Sequence, residues 1–558
     1  MVRATFSGFN TALSALQANQ KRLDITGQNL SNMNTAGYTR QQLEASSLNY
    51  TNPVSHYSNG NETAVGFGVS MNRVSQIRDP YLDIQYRSQS ADCSYTNRLQ
   101  TALNSLSKVL DETTISGIRQ AFDDVLSTLT SMQDPAKVSD PIYESELRTK
   151  MQSVCNLFNQ ASRQITQAEQ NEFQRLTGEG SSEQGDVQKI NDILRQIGDL
   201  NVQIKRNQVA GHPSLELQDE RNLLLDELSG YIPIETRYYK DDAHSGNNAY
   251  DYDANGAVIG KKDWPDDLEV SMNYIDAQGK SQKLILVNGS DIGADGLTKN
   301  YGQLSMLKGD HQTAASVSDP TNISIKFEKA PSYQGNGQAA ADVYAELKGI
   351  HFEGGSLQAS LDMLQKTGTG NVINGSTAVD DVRGYQYYSE KLDQLALTFA
   401  ESMNKINNGN KNPKDQNLLS NSTDDSTNNI TAGNIGISKG WTSGTIHIST
   451  DGTNRTDTIL DMIAAMKDTK KLNGKTFADY MNNLSTQLAS DSSSNQTALK
   501  TGTTVLNSIQ DSRDSLSGVS LDEEATNMMA YVSAYNAASR LMTALDEVLN
   551  TLISNTGA

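Results

Sequence analysis

Apolar residues near the start of the chain fall at Phe6, Phe9, Leu13, Leu16, Leu23 and Leu30, in steps of three and four, with Gln20 and Gly27 in the two vacant places. A stripe this narrow is the seam of a coiled coil rather than the broad face of a globular helix. It predicts a helix over about residues 5–33, roughly 43 Å long. The pattern ends in "DITGQNLSNMNTAGYTR", Asp24 to Arg40. There Asn29, Asn32 and Asn34 are expected to bond backbone groups, and Gly37 to take a left-handed conformation. The other end of the chain has a matching stripe. Leu521, Met528, Tyr535, Met542 and Leu549 recur every seven residues, and Tyr531, Ala538, Leu545 and Leu552 interleave with them. Ser520 followed by Glu523 reads as a capping box, and Asp522, Glu523 and Glu524 set negative charge on the first turn, where the helix dipole favours it. That cap accounts for "LDEE" better than a pair of catalytic carboxylates does.

Between the ends the period stays helical over Leu99–Leu110, over Ile115–Met132 until Pro135, over Leu147–Ile165, over Ile190–Leu200 with Leu224 and Leu228, and over Leu392–Ile406. From Tyr231 to Phe352 it drops to two, as in "LEVSMNYI", "KLILV" and "NISIKFEK", with Gly, Asn and Asp between the runs. Those are strand and turn signals. The fold class expected is mainly α with inserted antiparallel β. The terminal helices pair as a coiled-coil-like rod (1–40 with 518–558), a long helical bundle follows (41–235 with 356–517), and a β domain is inserted at 236–355. A polar stretch within 407–452 reads as an irregular surface segment, with a possible hairpin in "IGISKGWTSGTIHIST".

The chain has 558 residues, long enough for several domains. Its formal charge is −20 with no Lys/Arg block, which argues against nucleic acid or an anionic membrane surface as partner. Self-assembly of so acidic a chain must come from short-range apolar contact. Cys93 and Cys155 lack CxxC spacing and read as buried small side chains. No stretch is apolar enough to span a membrane, and the N-terminus does not read as a cleaved secretory signal.

Little points to chemistry. "DYDANG", Asp251 to Gly256, matches a calcium loop at its first, third, fifth and sixth places, but Lys262 stands where a bidentate Glu belongs and the flanks read as strands. A hairpin turn fits better. The six histidines form no local metal motif, and Gly66 and Gly68 in "VGFGV" lack the rest of a dinucleotide loop. No catalytic, cofactor or metal residue is therefore assigned.

Two lone seams at the extremes of one chain have a physical meaning. A single amphipathic helix is marginal in water, and a two-helix rod still leaves apolar edges exposed. Assembly of many copies through these helices covers them. The candidate interface is Phe6, Phe9, Leu13, Leu16, Leu23, Leu30, Met528, Tyr535, Met542, Leu545, Leu549 and Leu552. At the same places the chain resembles a known family. "GQNLSNMNTAGYTRQ" (27–41) is similar to the N-terminal signature of the axial rod, hook and hook-associated proteins of the bacterial flagellum. "AVGFGVSMNRVSQIRDPYLDIQYR" (64–87), "LELQDERNLLLDELSGYIPI" (215–234) and "SGVSLDEEATNMMAYVSAYNAASRLMTALDEVLNTL" (517–552) narrow the resemblance to the hook-associated protein 1 family of hook–filament junction proteins. The motif residues carried over are Asn29, Asn32, Thr35, Gly37, Tyr38, Asp522, Glu523 and Glu524. Two departures stand out: Ala36 where the family usually has Pro, and "AYVSAYNAAS" in place of Gln-rich spacing.

The resemblance implies a non-enzymatic structural subunit without cofactors. Its partners would be copies of itself, the hook protein, the next hook-associated junction protein, and an export chaperone on the C-terminal helix. It implies an extracellular location on the flagellum, reached through type III export without a cleaved signal peptide, with ends that are disordered in the monomer. A hook or distal-rod protein is the alternative within that family. A surface enzyme or adhesin acting through 236–355 is the alternative outside it.

Overall fold

The computed structural model describes residues 2–48, 68–110, 117–138, 140–239, 416–449 and 456–556, together with parts of 250–409. Helix α1 (Val2–Ser31) runs to a reversal and is followed by the strands β1 (Gln41–Ser47) and β2 (Val69–Gln76), an antiparallel ribbon laid back along α1. This ribbon is absent from the sequence expectation, which placed residues 41 onward in the bundle. Its closest approach to α1 explains Gly68. A Cβ there would stand 2.2 Å from Ser14 Oγ, and the adjacent Val69 N–H donates to that same oxygen at 3.2 Å.

The body consists of α2 (Pro80–Leu110), α3 (Ile118–Ser131), the single turn α4 (Pro135–Val138), α5 (Pro141–Thr177), α6 (Asp186–Val209) and α7 (Leu215–Tyr231). Further along the chain α8 (Ser356–Gln365), α9 (Tyr385–Asn408), α10 (Lys439–Ser443), α11 (Asp457–Met466) and α12 (Phe477–Ser517) complete it. Helix α5 shows how the local sequence sets its limits. Asp140 caps it by accepting from Ile142 N–H, Pro141 fills the first turn where no donor is needed, and Gly178 ends it at φ 75°. The core gathers where four helices meet. The Phe122 ring of α3 lies 5.9 Å from Phe158 of α5, 5.2 Å from Phe399 of α9 and 5.5 Å from Phe477 of α12. Both cysteines are buried and free, as expected.

Helix α12 has 41 residues, and its periodicity does not reveal it. Past Leu488 its contacts with α2 include polar and small side chains. Gln100 Nε2 donates to Ser492 Oγ at 2.8 Å, Asn495 Nδ2 donates to the Thr96 carbonyl at 2.9 Å, and Gly502 lets α12 approach Cys93. Leu499, Leu506 and Ile509 are half-buried on the same side, but Ser492, Asn495 and Gly502 interrupt the apolar period.

The β region comprises β3 (Glu235–Tyr239), β4 (Tyr250–Tyr252), β5 (Val258–Lys261), β6 (Asp267–Ile275), β7 (Ser281–Asn288), β8 (Gln303–Lys308) and β9 (Ile323–Glu328). After these come β10 (Tyr333–Gln334), β11 (Gln338–Ala339) and β12 (Ala345–Leu347). Two antiparallel three-stranded sheets, β3-β6-β7 and β12-β9-β8, carry the alternating residues seen in the sequence. The short pair β13 (Asn371–Ile373) and β14 (Ser376–Ala378) follows α8. Asparagines seat the β region on α6. Asn201 Nδ2 donates to the carbonyls of Leu268 and Gly289, each at 3.1 Å, and Asn300 Nδ2 donates to the Gly198 carbonyl at 2.9 Å. The turn 253–257 of "DYDANG" lies outside the described residues. Its flanks pair antiparallel as β4 and β5, as in a hairpin.

The polar stretch 407–452 differs from the expectation of an irregular surface segment. Its described part is folded onto α5 and α9 as β15 (Leu419–Asn421), β16 (Ile435–Ile437) and α10. Leu418, Leu419, Ile435 and Trp441 are wholly buried. Asn404 of α9 donates to the Leu419 carbonyl at 2.7 Å and accepts from the N–H groups of Leu418 and Leu419 at 2.9 Å. A few apolar anchors and the asparagines Asn404, Asn407 and Asn159 order a segment whose average composition resembles disorder.

The last element, α13 (Leu521–Thr556), runs antiparallel along α1. Both ends of the chain are thus helical here, in contrast to the disorder expected of them in the monomer. Among the described residues no helix is long and apolar enough to cross a membrane.

Truncating Phe122 removes the ring shared by α3, α5, α9 and α12. Phe122→Ala should cost about 3–5 kcal/mol and lower the unfolding midpoint of the body, measured by near-ultraviolet circular dichroism in denaturant. A shift under about 1 kcal/mol would show that the four-helix contact is not the centre of the core.

Candidate functional site: the joint at the root of the terminal helices

The motif residues at the two ends of the sequence meet in one place. Helix α1 ends as Asn32 Nδ2 donates to the Gln28 carbonyl at 3.0 Å, and Thr35 Oγ1 donates to Asn32 Oδ1 at 3.3 Å. Gly37 then turns the chain at φ 78° against Leu223 of α7. The reversal brings Gln41, the first residue of β1, beside Asn29. Asn29 is buried and satisfied on all sides. Its Oδ1 accepts from Gln41 N–H at 2.9 Å and from the Tyr38 hydroxyl at 2.9 Å. Its Nδ2 donates to the Gln41 carbonyl at 3.0 Å and to Glu524 Oε2 at 3.3 Å. The amide acts as a strand partner to Gln41 and also holds the start of α13. Asn29 thus bonds backbone groups as expected, but those of Gln41 across the reversal, while Asn32 bonds within its own helix. No role emerges for Asn34.

Asp522, Glu523 and Glu524 lie in the first turn of α13 as expected, but the capping box of Ser520 and Glu523 is incomplete. Ser520 Oγ accepts from Glu523 N–H at 3.5 Å, a long cap, and Glu523 does not complete the box. Both carboxylates turn to Arg40, whose Nη1 reaches Glu523 at 2.7 Å and whose Nε reaches Glu524 at 2.8 Å. Glu524 is only 2% exposed. Arg40 N–H also donates to the Ser517 carbonyl at 2.9 Å, so one residue holds the end of α12 and the start of α13. Asp522 remains exposed at the helix start.

Beneath this layer lies a second, charged one that sequence reasoning missed. Thr39 donates through N–H (3.1 Å) and Oγ1 (2.6 Å) to Asp219 of α7. Arg78 grips Asp83 through Nε and Nη2 and comes within 3.9 Å of Asp219. Arg513 of α12 bridges Asp83 (3.0 Å) and Asp226 (2.7 Å), and its guanidinium stacks 4.3 Å from the centre of the Tyr86 ring. Arg87 completes the set on Asp226 at 2.8 Å. Three arginines and three aspartates from α2, α7, α12 and the segment before α2 thus hold Thr39, just after α1, and the end of α12, just before α13, to the body. The signal was present in "RDPYLDIQYR" and "LQDERNLLLDEL", but one-dimensional spacing does not reveal which charges converge.

Charge balance in this layer sets opposing titrations. Burial pushes the Asp83 carboxyl up, but Arg78, Arg87 and Arg513 more than reverse that, and it lies below the usual range. Asp219 is raised to about 6, because burial outweighs the Thr39 hydrogen bonds and the more distant Arg78, with Glu216 adding to the rise. Burial, then Asp219, Glu216 and Glu524, raise the Tyr38 phenol as well, so it stays protonated and donates to Asn29. Among the described residues no cluster of His, Cys, Asp or Glu is arranged to hold a metal ion.

Above the joint the rod shows an unequal division of its side chains. From α1 the buried residues are Ala12, Ala18, Asn19, Ile25 and Thr26, with Ile25 the one large apolar side chain among them. Gly8 lies opposite Leu545, Arg22 lies over the Tyr531 ring at 5.6 Å, and Ala538 is buried. The predicted seam behaves differently on its two helices. On α13, Met528, Met542, Leu545 and Leu549 are half-buried, while Tyr535 and Leu552 are exposed. On α1, Phe9, Leu16, Leu23 and Leu30 are half-buried and Leu13 is 47% exposed. The Phe6 side chain lies outside the described residues. Large apolar groups also remain open on the flanks of α13, with Met529 at 66% and Val548 at 55%.

Comparison with known proteins agrees with this arrangement. The flagellar hook-associated protein FlgK helical domain matches residues 103–417, the flagella basal body rod protein family matches 9–39, and the C-terminal family of the flagellar basal body rod proteins FlgEFG matches 512–555. Flagellar hook-associated protein 1 of Bacillus subtilis (strain 168) is 28% identical over 569 residues, spanning 99% of each chain. That of Salmonella typhimurium is 29% identical over 230 residues, covering 40% of this chain and 38% of its own. The solved flagellar hook junction protein FlgK from Burkholderia pseudomallei has 18% identity and a TM-score of 0.36, over 61% of this chain and 44% of its own.

Two predictions follow from the joint. Asn29→Ala leaves the Gln41 N–H and carbonyl without partners. It should loosen the root of the rod by about 2–4 kcal/mol, seen as faster amide exchange in residues 24–48 and 520–530 with the body unchanged. Unchanged exchange there would remove Asn29 as the organiser. Asp219 gives a pH signature. Its folded pKa is raised, so its contribution is present in full below the unfolded value near 4 and is lost as pH rises through about 6. Asp219→Asn should therefore gain on wild type by up to the order of 2 kcal/mol between pH 4 and 7 in parallel thermal melts. A constant difference across that range would contradict it.

With its helical domain matched over more than half its length, and with both terminal segments matching flagellar rod families, this chain belongs to the flagellar hook-associated protein 1 family, structural components of the bacterial flagellum.

Proposed function

We propose that this chain is a non-enzymatic subunit of the zone where hook meets filament, and that it polymerises through α1 and α13. One observation carries the reading: α1 and α13 pair along their length while Leu13, Leu16, Leu23 and Leu30 of α1 stay partly open to solvent. An isolated globular protein turns its largest apolar groups inward, and a contiguous uncovered stripe marks a surface meant for a partner. Copies of the same chain supply that cover, and the hook protein and the next hook-associated protein bound the zone on either side. Export without a cleaved signal, and a chaperone that covers the C-terminal helix before assembly, complete the reading. The joint fixes how the rod leaves the body, so that the subunits present their rods at one angle.

A labelled antibody on isolated flagella should mark a narrow band between hook and filament in the electron microscope. Label along the hook, in the rod or on no part of the flagellum would reject the assignment. Leu16→Asp with Leu23→Asp should abolish that band while leaving the body's melting temperature within about 2 °C of wild type, because these side chains belong to the rod and not to the core of the body.

A further inference from the structure

A groove of about 540 Å³ runs between α1 and the β1–β2 ribbon, floored by Leu43, Met71 and Val74 and rimmed by Lys21 and Asp24. A smaller hollow of about 320 Å³ shares the same Lys21 and Asp24 and extends the groove towards α7. This is the side of α1 that carries the ribbon. Lys21 and Asp24 are exposed, and neither has an ion-pair partner among the described residues.

The same chain carries a counterpart on its other terminal helix. Leu541 (48% exposed) and Val548 lie one heptad apart on α13, so they project from one side as a pair of apolar knobs. Arg540 and Glu547 accompany them with the same spacing, both exposed and both without an ion-pair partner among the described residues. Resting on the assembly reading above, we propose that the groove receives α13 of a second copy of this chain, with Leu541 and Val548 over Leu43, Met71 and Val74, Glu547 beside Lys21, and Arg540 beside Asp24.

The order of the charges gives the direction. Lys21 precedes Asp24, whereas its partner Glu547 follows Arg540, so the incoming helix runs antiparallel to α1. The chain's own α13 has that direction as well. Copies that share one axial orientation therefore satisfy the groove without any subunit being inverted. The chain's own α13 is in the wrong register for it. Gly8 lies level with Leu545, Arg22 with Tyr531 and Asn29 with Glu524. Lys21 is thus level with the neighbourhood of Tyr531, and Glu547 of the same chain lies roughly 24 Å further along. The neighbour must be displaced along the rod by roughly 20 Å to bring its Glu547 to Lys21. Groove and knobs are different patches of one surface, so the contact is head-to-tail and propagates, giving a ring or helix instead of a closed dimer.

The test places cysteines at Lys21 and Glu547 of the full chain, in cells whose flagella are isolated and mildly oxidised. Within one chain the two thiols are several times too far apart to join, so any disulfide comes from two copies. The expected result is a ladder of dimers and higher species on a non-reducing gel from the K21C/E547C double variant, and monomer from each single variant. A dimer from K21C alone would overturn the head-to-tail contact. Monomer from the double variant, with the antibody band still between hook and filament, would overturn the groove and leave the assembly role standing. If the double variant is missing from flagella that accept the wild-type chain, D24C/A544C, level in the same register, replaces it. A ladder from that pair supports the groove, and monomer rejects it. Absence of the wild-type chain from the flagellum would reject the assembly reading itself.

Discussion

The geometry of this molecule turns on one buried amide. Asn29 pairs with both backbone groups of Gln41, takes the Tyr38 hydroxyl, and donates to Glu524. All four of its hydrogen-bonding positions are used, and in a buried site a single unmet group would cost about 1–3 kcal/mol. The turn after α1, the ribbon laid back along it and the start of α13 are therefore positioned together. A hydrophobic contact would tolerate sliding along a helix, but this amide does not. The charged layer beneath continues that precision into α2, α7 and α12 with alternating arginines and aspartates, each ion satisfied by more than one neighbour.

The rod and the body consequently use different physics. The body is held by apolar burial around Phe122 and its ring neighbours, with asparagines fastening the β region and the 416–449 segment onto helices. The joint is polar, directional and specific, and it adds little apolar area. The rod above it leaves more apolar surface open, with Gly8 opposite Leu545 and with Leu13, Leu16, Leu23 and Leu30 partly exposed. This division fits a subunit that is finished by its neighbours: a stable body, a fixed exit angle and an incomplete core left for assembly.

Sequence patterning reads well where one physical signal dominates. The two terminal helices, α3, α5, α6 and α9 and the alternating strands were all legible, because each carries a regular apolar period. Helix α12 was not, since Ser492, Asn495 and Gly502 interrupt its apolar period. The ribbon β1–β2 was hidden because its burial depends on α1 rather than on its own alternation. The 416–449 segment was misread through its composition, although Trp441 and Leu419 were there to anchor it. Within the joint, the importance of Asn29, Gly37 and Glu524 was legible as a motif, but their actual partners were not. Arg78, Arg87, Asp219 and Arg513 come from scattered positions that only the fold brings together. The heptad seam identified the right helices, and on α1 its leucines are the large side chains left partly open.

The hydrogen bond from Asn29 to Glu524 joins residues 495 positions apart, almost the full span of the polypeptide. Closing so long a loop carries a large entropy cost that no local contact offsets, so the body must collapse before the joint can hold. The bonds of Asn29 to Tyr38 and Gln41 are local and need only the reversal after α1, whereas its bond to Glu524 waits for the start of α13. The joint thus closes in two stages, a local turn first and a long-range clasp second.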